Sequence, residues 1–133
     1  MDAPVVSLDL LPTALAAGGA LPADAGFAGA NLLPFLTGRT SEPPHAALFR
    51  RYGEQFGVRQ GDWKLVKASA AMQPMLVNLA MDRGEQTDLT AKYPGRAQAL
   101  QAAYDRWNAT MQPPRWEDRR RDGDEDRKAK RKK

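Results

Sequence analysis

Tyr93, Ala97, Leu100, Tyr104, Trp107 and Met111 recur at spacings of 4, 3, 4, 3 and 4 residues. Only an α-helix brings positions so spaced onto one face, so the sequence predicts an amphipathic helix over about Pro94–Met111 with that face buried. Arg96, Gln98, Gln101, Asp105 and Arg106 take the other faces. Pro94 suits the first turn, where an amide would lack an intrahelical acceptor, and Pro113-Pro114 ends the helix. The stripe lasts under three heptads, too short a repeat for a coiled coil, and calls for a sheet to pack on.

The residues before it supply one. Ala47–Tyr52, Phe56–Gln60, Trp63–Lys67 and Met75–Leu79 are short runs rich in β-branched, aromatic and other apolar residues. Trp63, Leu65 and Lys67 alternate with Lys64 and Val66, and Gly61-Asp62 between two such runs predicts a hairpin. The expected class is α+β: a small four-stranded sheet packed on the C-terminal helix.

Upstream, Leu8, Leu11 and Leu15 share a helical face within Val5–Ala17, with Ser7 or Asp9 available as a cap and Gly18-Gly19 as a stop. Pro12 is acceptable if the helix begins near Asp9. Residues 18–31 read as a surface loop, Asn31–Leu36 as one apolar helical turn, and Pro43-Pro44 as a stiff spacer.

With 133 residues the chain suits one domain that buries roughly two-thirds of the surface exposed on unfolding. The net charge of +4 lies in one place. Residues 115–133 hold ten Lys/Arg against six Asp/Glu, while residues 1–114 balance. That mixed-charge stretch reads as a disordered, solvating tail. Its alternative reading is a polyanion- or nucleic-acid-binding module, which the interleaved acids and the lone aromatic Trp116 disfavour.

Composition removes several chemistries. With no cysteine there is neither a disulfide nor a thiolate nucleophile, and one histidine, His45, cannot build a multi-imidazole metal site. No apolar run is long enough to span a bilayer, so no membrane partner is expected, and Met1-Asp2-Ala3-Pro4 does not begin a secretory signal. Ser41-Glu42-Pro43-Pro44-His45 is the nearest approach to a nucleophile with its base, yet it sits in a proline-rich stretch and reads as solvated linker. Asp82, Glu85 and Asp88 offer carboxylates at intervals of three, but they lack the further oxygen donors of a calcium loop. They read as turn and capping residues. Asn108-Ala109-Thr110 matches a glycosylation acceptor but falls on the predicted helix.

Four motifs then occur in a telling order: Ser7-Leu8-Asp9-Leu10-Leu11-Pro12-Thr13, Asn31-Leu32-Leu33-Pro34-Phe35-Leu36-Thr37-Gly38, Val58-Arg59-Gln60-Gly61-Asp62-Trp63-Lys64-Leu65, and Leu79-Ala80-Met81-Asp82-Arg83-Gly84-Glu85-Gln86-Thr87-Asp88-Leu89. This succession resembles the C-terminal part of the sulfatases, the arylsulfatase-like sulfuric ester hydrolases of the alkaline-phosphatase-like superfamily, from residue 2 to about 116. The resemblance implies that residues 1–45 are the last elements of a larger α/β domain. Residues 46–114 would then be the family's C-terminal domain, a four-stranded antiparallel sheet on a helix.

Sulfatases use a formylglycine made from a Cys/Ser-x-Pro-x-Arg motif, and usually calcium held by Asp and Asn. Here Ser41-x-Pro43 is followed by His45 where arginine would stand. No catalytic, metal-binding or cofactor-binding residue carries over, and the chain alone is expected to be inactive. The implied partner is the N-terminal half of a sulfatase, through a truncated reading frame or a split enzyme; a non-functional remnant is the third possibility. The resemblance also implies that Arg51, Tyr52, Lys67 and Ser69 face the substrate cleft, where a sulfated substrate would lie only in the complete enzyme. The family is often periplasmic or secreted, which leaves the compartment of this chain open. The Leu8/Leu11/Leu15 face and the Leu32–Leu36 turn are expected to pack on the missing portion and, left exposed, to favour association.

Overall fold

A computed structural model describes residues 3–24 and 26–113. The expectation of a disordered tail over residues 115–133 lies outside the described residues. In chain order, a 3-10 turn, Ser7–Asp9, runs into α1 (Leu10–Ala17) and is followed by α2 (Leu33–Leu36). Then come β1 (Leu48–Tyr52), β2 (Gln55–Gln60), β3 (Trp63–Lys67), β4 (Met75–Asn78) and α3 (Pro94–Ala109).

The strands form one antiparallel meander in the order β1-β2-β3-β4. Two-residue turns join the first three. Tyr52 pairs with Gln55 around Gly53-Glu54, and Gln60 pairs with Trp63 around Gly61-Asp62. Gly53 and Gly61 have φ of +56° and +58°, while the residue after each does not have positive φ. This is the type II′ pattern, whose twist matches that of the flanking strands.

Alternation then sorts the side chains. Phe56, Val58, Leu65 and Leu76 point to the side that α3 covers and form the core with Ala97, Leu100 and Tyr104. Leu65, Leu76 and Leu100 are essentially inaccessible to solvent, and each contributes roughly 2 kcal/mol relative to exposure. Aromatic contacts extend this core along the helix. Phe56 stacks on Tyr104 with centroids 4.2 Å apart, Phe49 stacks on Trp107 at 5.2 Å, and Trp63 meets Tyr93 edge-on at 5.1 Å.

The stripe read from the sequence is therefore buried in its middle. Its ends are not: Tyr93 and Met111 are 40% and 39% exposed. The helix stops at Ala109 instead of reaching Met111, because the amides of Thr110 and Met111 turn back to the carbonyls of Trp107 and Asn108. That tightens the last turn to three-residue spacing.

In the N-terminal segment burial falls on positions other than the leucines. Asp9 and Pro12 are the buried positions of this helical stretch, while Leu8, Leu10 and Leu11 are each more than half exposed. Of the expected leucine face only Leu15 is half-buried. Asp9 turns inward because polar partners await it there.

Candidate functional site

Asp9 is fully buried. Its Oδ2 accepts the Val6 amide at 2.8 Å, its Oδ1 accepts the Ala30 amide at 2.8 Å, and both oxygens lie 2.8–2.9 Å from His45 Nε2. Thr13 completes the arrangement, donating its hydroxyl to the Asp9 carbonyl and accepting the Leu32 amide. Two segments distant in sequence, at Ala30 and at His45, are thus tied to one carboxylate. His45 is correspondingly part-buried, and its reading as an incidental residue of a solvated linker is corrected by these contacts. Desolvation pushes the Asp9 carboxyl up, but the Val6 and Ala30 amides and the His45 ring outweigh it and hold the group below its ordinary value. Ser41, the other member of the sequence pair, is exposed and takes no part in this cluster.

The carboxylates between β4 and α3 are committed to the turns that carry the chain across. Asp82 Oδ2 accepts the amides of Gln86 and Thr87 at 2.8 and 2.7 Å. Asp88 Oδ1 accepts the amide and hydroxyl of Thr90, and the Leu76 amide at 3.3 Å. Glu85, the one non-glycine residue with positive φ among those described, reaches Lys64 Nζ at 2.5 Å. Asp82 and Asp88 thus take the turn roles that the spacing suggested, but none of the three caps a helix: the N-cap of α3 is Tyr93, and Glu85 pairs with Lys64 instead.

The four residues assigned to a substrate cleft take separate positions. Arg51 lies on the α3 side, where its guanidinium donates to Asn108 Oδ1 at 2.6 Å and to the Gln112 carbonyl at 2.7 Å. It fastens β1 to the end of α3. Tyr52 is 66% exposed, and with Lys67 it lines a groove of about 530 Å³ that also contains Arg50, Lys64 and Glu85. Ser69 is half-buried in the turn after β3, where its carbonyl accepts the Met72 amide. The structure brings Tyr52 and Lys67 to one groove and places Arg51 elsewhere.

Against solved structures, the chain superposes on the protein Ps i-CgsB in complex with k-i-k-neocarrahexaose with a TM-score of 0.72 and 24% identity. That match covers 91% of this chain and 28% of Ps i-CgsB. A second Ps i-CgsB structure gives a TM-score of 0.70 and 25% identity over 86% of this chain and 26% of the other. A Bacteroides thetaiotaomicron protein from a glycosaminoglycan-metabolism locus gives 0.60 and 18% identity, over 76% and 24%. No protein-family model and no curated protein matches the chain. A further neighbour, with a TM-score of 0.60 and 20% identity, was solved in complex with its substrate D-glucosamine-2-N,6-O-disulfate, and the chain spans about a quarter of the length of these proteins. The likeness establishes the shared α+β architecture.

The sequence reading missed two sets of residues. Asp9 and His45 stand 36 positions apart, and no local periodicity links them. Arg50, Arg59 and Lys64 were legible in principle. Each alternates with a core residue (Phe49, Val58 and Leu65 respectively), so period two places all three on the sheet face away from α3.

Proposed function

We infer that this chain is the C-terminal portion of a sulfatase and walls one side of the cleft in which a sulfate ester is hydrolysed. The observation that carries this reading is the superposition on Ps i-CgsB, which takes in 91% of this chain but 28% of that protein. Residues 1–45 are the last elements of the catalytic α/β domain, and residues 46–114 are the sheet–helix domain beyond it. The surface of the first segment supports this division. Val5, Leu8, Leu10, Leu11 and Leu36 are each more than half exposed, as expected of side chains that the rest of the catalytic domain covers.

The hydrolytic machinery, a formylglycine and a divalent cation, belongs to the N-terminal portion. In this chain Ser41-x-Pro43-x-His45 is the nearest approach to the modification motif, and His45 is engaged by Asp9. The substrate class that fits is a sulfated saccharide, since the solved neighbours include one in complex with k-i-k-neocarrahexaose.

Sulfate release from 4-nitrophenyl sulfate tests the reading. The 133-residue chain alone releases none with or without calcium. Mixing it with an N-terminal portion that carries Cys/Ser-x-Pro-x-Arg, encoded next to it, restores turnover. Calcium-dependent cleavage by this chain alone would refute the assignment of chemistry to the missing portion.

A further inference from the structure

The sheet face away from α3 carries charge that the described residues do not balance. Period two and the register place Leu48, Arg59, Lys64 and Val77 in one row across that face, and Arg50, Gly57, Val66 and Met75 in the next. Arg50, Arg59 and Lys64 lie around Gly57 and line, with Glu85, a hollow of about 330 Å³ whose apolar wall includes Val6, Leu48 and Leu79. Arg59 and Lys64 are direct register partners, and like charges opposite one another destabilise a sheet. Among the described residues Glu85 is the one carboxylate in the hollow, and it pairs with Lys64. Arg50 is exposed and makes no ion pair with any described residue, so its guanidinium is available for a bidentate contact.

Gly57 itself leaves room for something to lie across this face. The register runs unbroken past it, its φ is not positive, and a Cβ built on it meets nothing within 4 Å. Glycine inside a strand weakens the strand, and one usual reason for it is the close approach of another backbone or a ligand.

The chain carries a segment of matching charge. Asp122-Gly123-Asp124-Glu125-Asp126 is the densest acidic run in the sequence, and it belongs to the stretch beyond the described residues. On an extended backbone Asp122, Asp124 and Asp126 project to one side, about 7 Å apart. Arg51, the neighbour of Arg50 in β1, holds the Gln112 carbonyl at 2.7 Å, so the chain leaves α3 beside β1. Asp122 lies ten positions beyond Gln112, a reach of up to about 33 Å. Passing from β1 to β3 takes about 10 Å, and rounding the sheet edge about as much again. A tether of this kind holds its end at an effective concentration on the order of millimolar, so even a weak attraction fills the hollow. A second copy seated on the same face would instead set these cations against themselves.

We propose that the acidic run at residues 122–126 folds back onto the sheet face away from α3, its carboxylates paired with Arg50, Arg59 and Lys64 and its backbone passing over Gly57. The acids interleaved in the basic tail thereby have a partner within the chain. The strap keeps other anions out of the hollow until salt or a stronger polyanion displaces it. Nothing in this docking depends on sulfate-ester chemistry.

Zero-length carbodiimide coupling of the full chain, read by peptide mass spectrometry, tests this. Lys64 couples to Glu85, which serves as internal standard, and to a carboxylate of residues 122–126. In a mixture of isotopically labelled and unlabelled chains the second link forms within one chain, its yield is unchanged by dilution, and high salt suppresses it. The variants are Arg50→Gln, at an exposed position, and Gly57→Val, which fills the path with a good strand former. Each weakens docking by about tenfold, the equivalent of one charge-assisted hydrogen bond, which takes a half-occupied hollow to about one-tenth occupied and lowers the yield about fivefold. The link from Lys64 to Glu85 is not lowered in either, which shows that the sheet remains folded. A Lys64–Glu85 link without any link to residues 122–126 would overturn the proposal. Links to residues 122–126 at native yield in either variant would overturn the placement around Arg50 and Gly57. Links confined to labelled–unlabelled pairs would overturn the strap in favour of docking between chains.

Discussion

The buried carboxylate of Asp9 lies 2.8 Å from His45 Nε2, so the first turn of the chain is held to the strand-entry linker across 36 residues. The same carboxylate receives the Ala30 amide from the intervening loop. The N-terminal segment has little apolar packing of its own, since Leu8, Leu10 and Leu11 point to solvent. The closure of residues 1–45 upon themselves rests heavily on one side chain.

Asp9→Ala leaves the Val6 and Ala30 amides without their acceptor and the His45 ring without its partner. Loss of such a buried cluster costs about 2–4 kcal/mol. The cost falls on the N-terminal segment. Amide exchange at Ala30 and Leu32 becomes much faster, while Leu65 and Leu76 keep their protection. His45→Ala removes one of the partners and produces a smaller acceleration at the same amides. Native exchange rates in both variants would show that the segment is held by something else.

Acid releases this clamp. Asp9, Asp82 and Asp88 all have folded-state values below the ordinary 3.8. For Asp82 and Asp88 the largest causes are hydrogen bonds from Thr87 and Thr90 respectively; for Asp9 the amides and His45 overcome desolvation. A carboxyl depressed by folding stabilises the folded state above its unfolded value and loses that contribution as pH falls through its folded value. These three groups thus contribute fully at neutral pH and progressively less below pH 3.8. Thermal scans should show their contribution flat above about pH 5 and falling in stronger acid. Asp9→Asn flattens the acid limb in proportion to its share.

The sheet and α3 were legible because their signals are local. Period two in Trp63–Lys67 and the 3-4 spacing from Ala97 to Trp107 each report a face that must be buried, and Gly61-Asp62 reports the turn between two strands. Asp9 and His45 were illegible for the opposite reason. A capping aspartate and a buried, paired one look alike in sequence, and what separates them is a loop that returns 21 residues later and a ring 36 residues later. Leu8, Leu11 and Leu15 were legible in part: their spacing marks a face to be covered, but not by which surface.

Gly29 is a second point where the loop meets the first turn. A Cβ there would stand 2.0 Å from the Leu8 carbonyl oxygen and 2.3 Å from its carbon. Backbone cannot yield as a flexible side chain can, so Gly29→Ala displaces the loop and breaks the Ala30–Asp9 bond. The expected loss is about 3 kcal/mol or more, concentrated in the same segment. Gly57→Val, which meets open space, provides the contrast within one protein. A native melting profile and native exchange at Ala30 for Gly29→Ala would contradict the close approach.

The exposed leucines make the last case. Val5, Leu8, Leu10, Leu11 and Leu36 place five large apolar side chains in water. Each loses roughly 1–2 kcal/mol relative to full burial, and a face of this kind associates when its natural cover is absent. The isolated chain therefore self-associates in sedimentation velocity, in a concentration-dependent manner. Replacing Leu8, Leu10 and Leu11 together by Ser abolishes association without lowering stability, because none of the three contributes to the core of Phe56, Leu65, Leu76 and Leu100. On the function proposed above, an added N-terminal sulfatase portion competes with self-association for the same face, and the triple variant fails to bind it. A native chain that stays monomeric at high concentration, or a triple variant that associates as the native chain does, would show that this face has no partner.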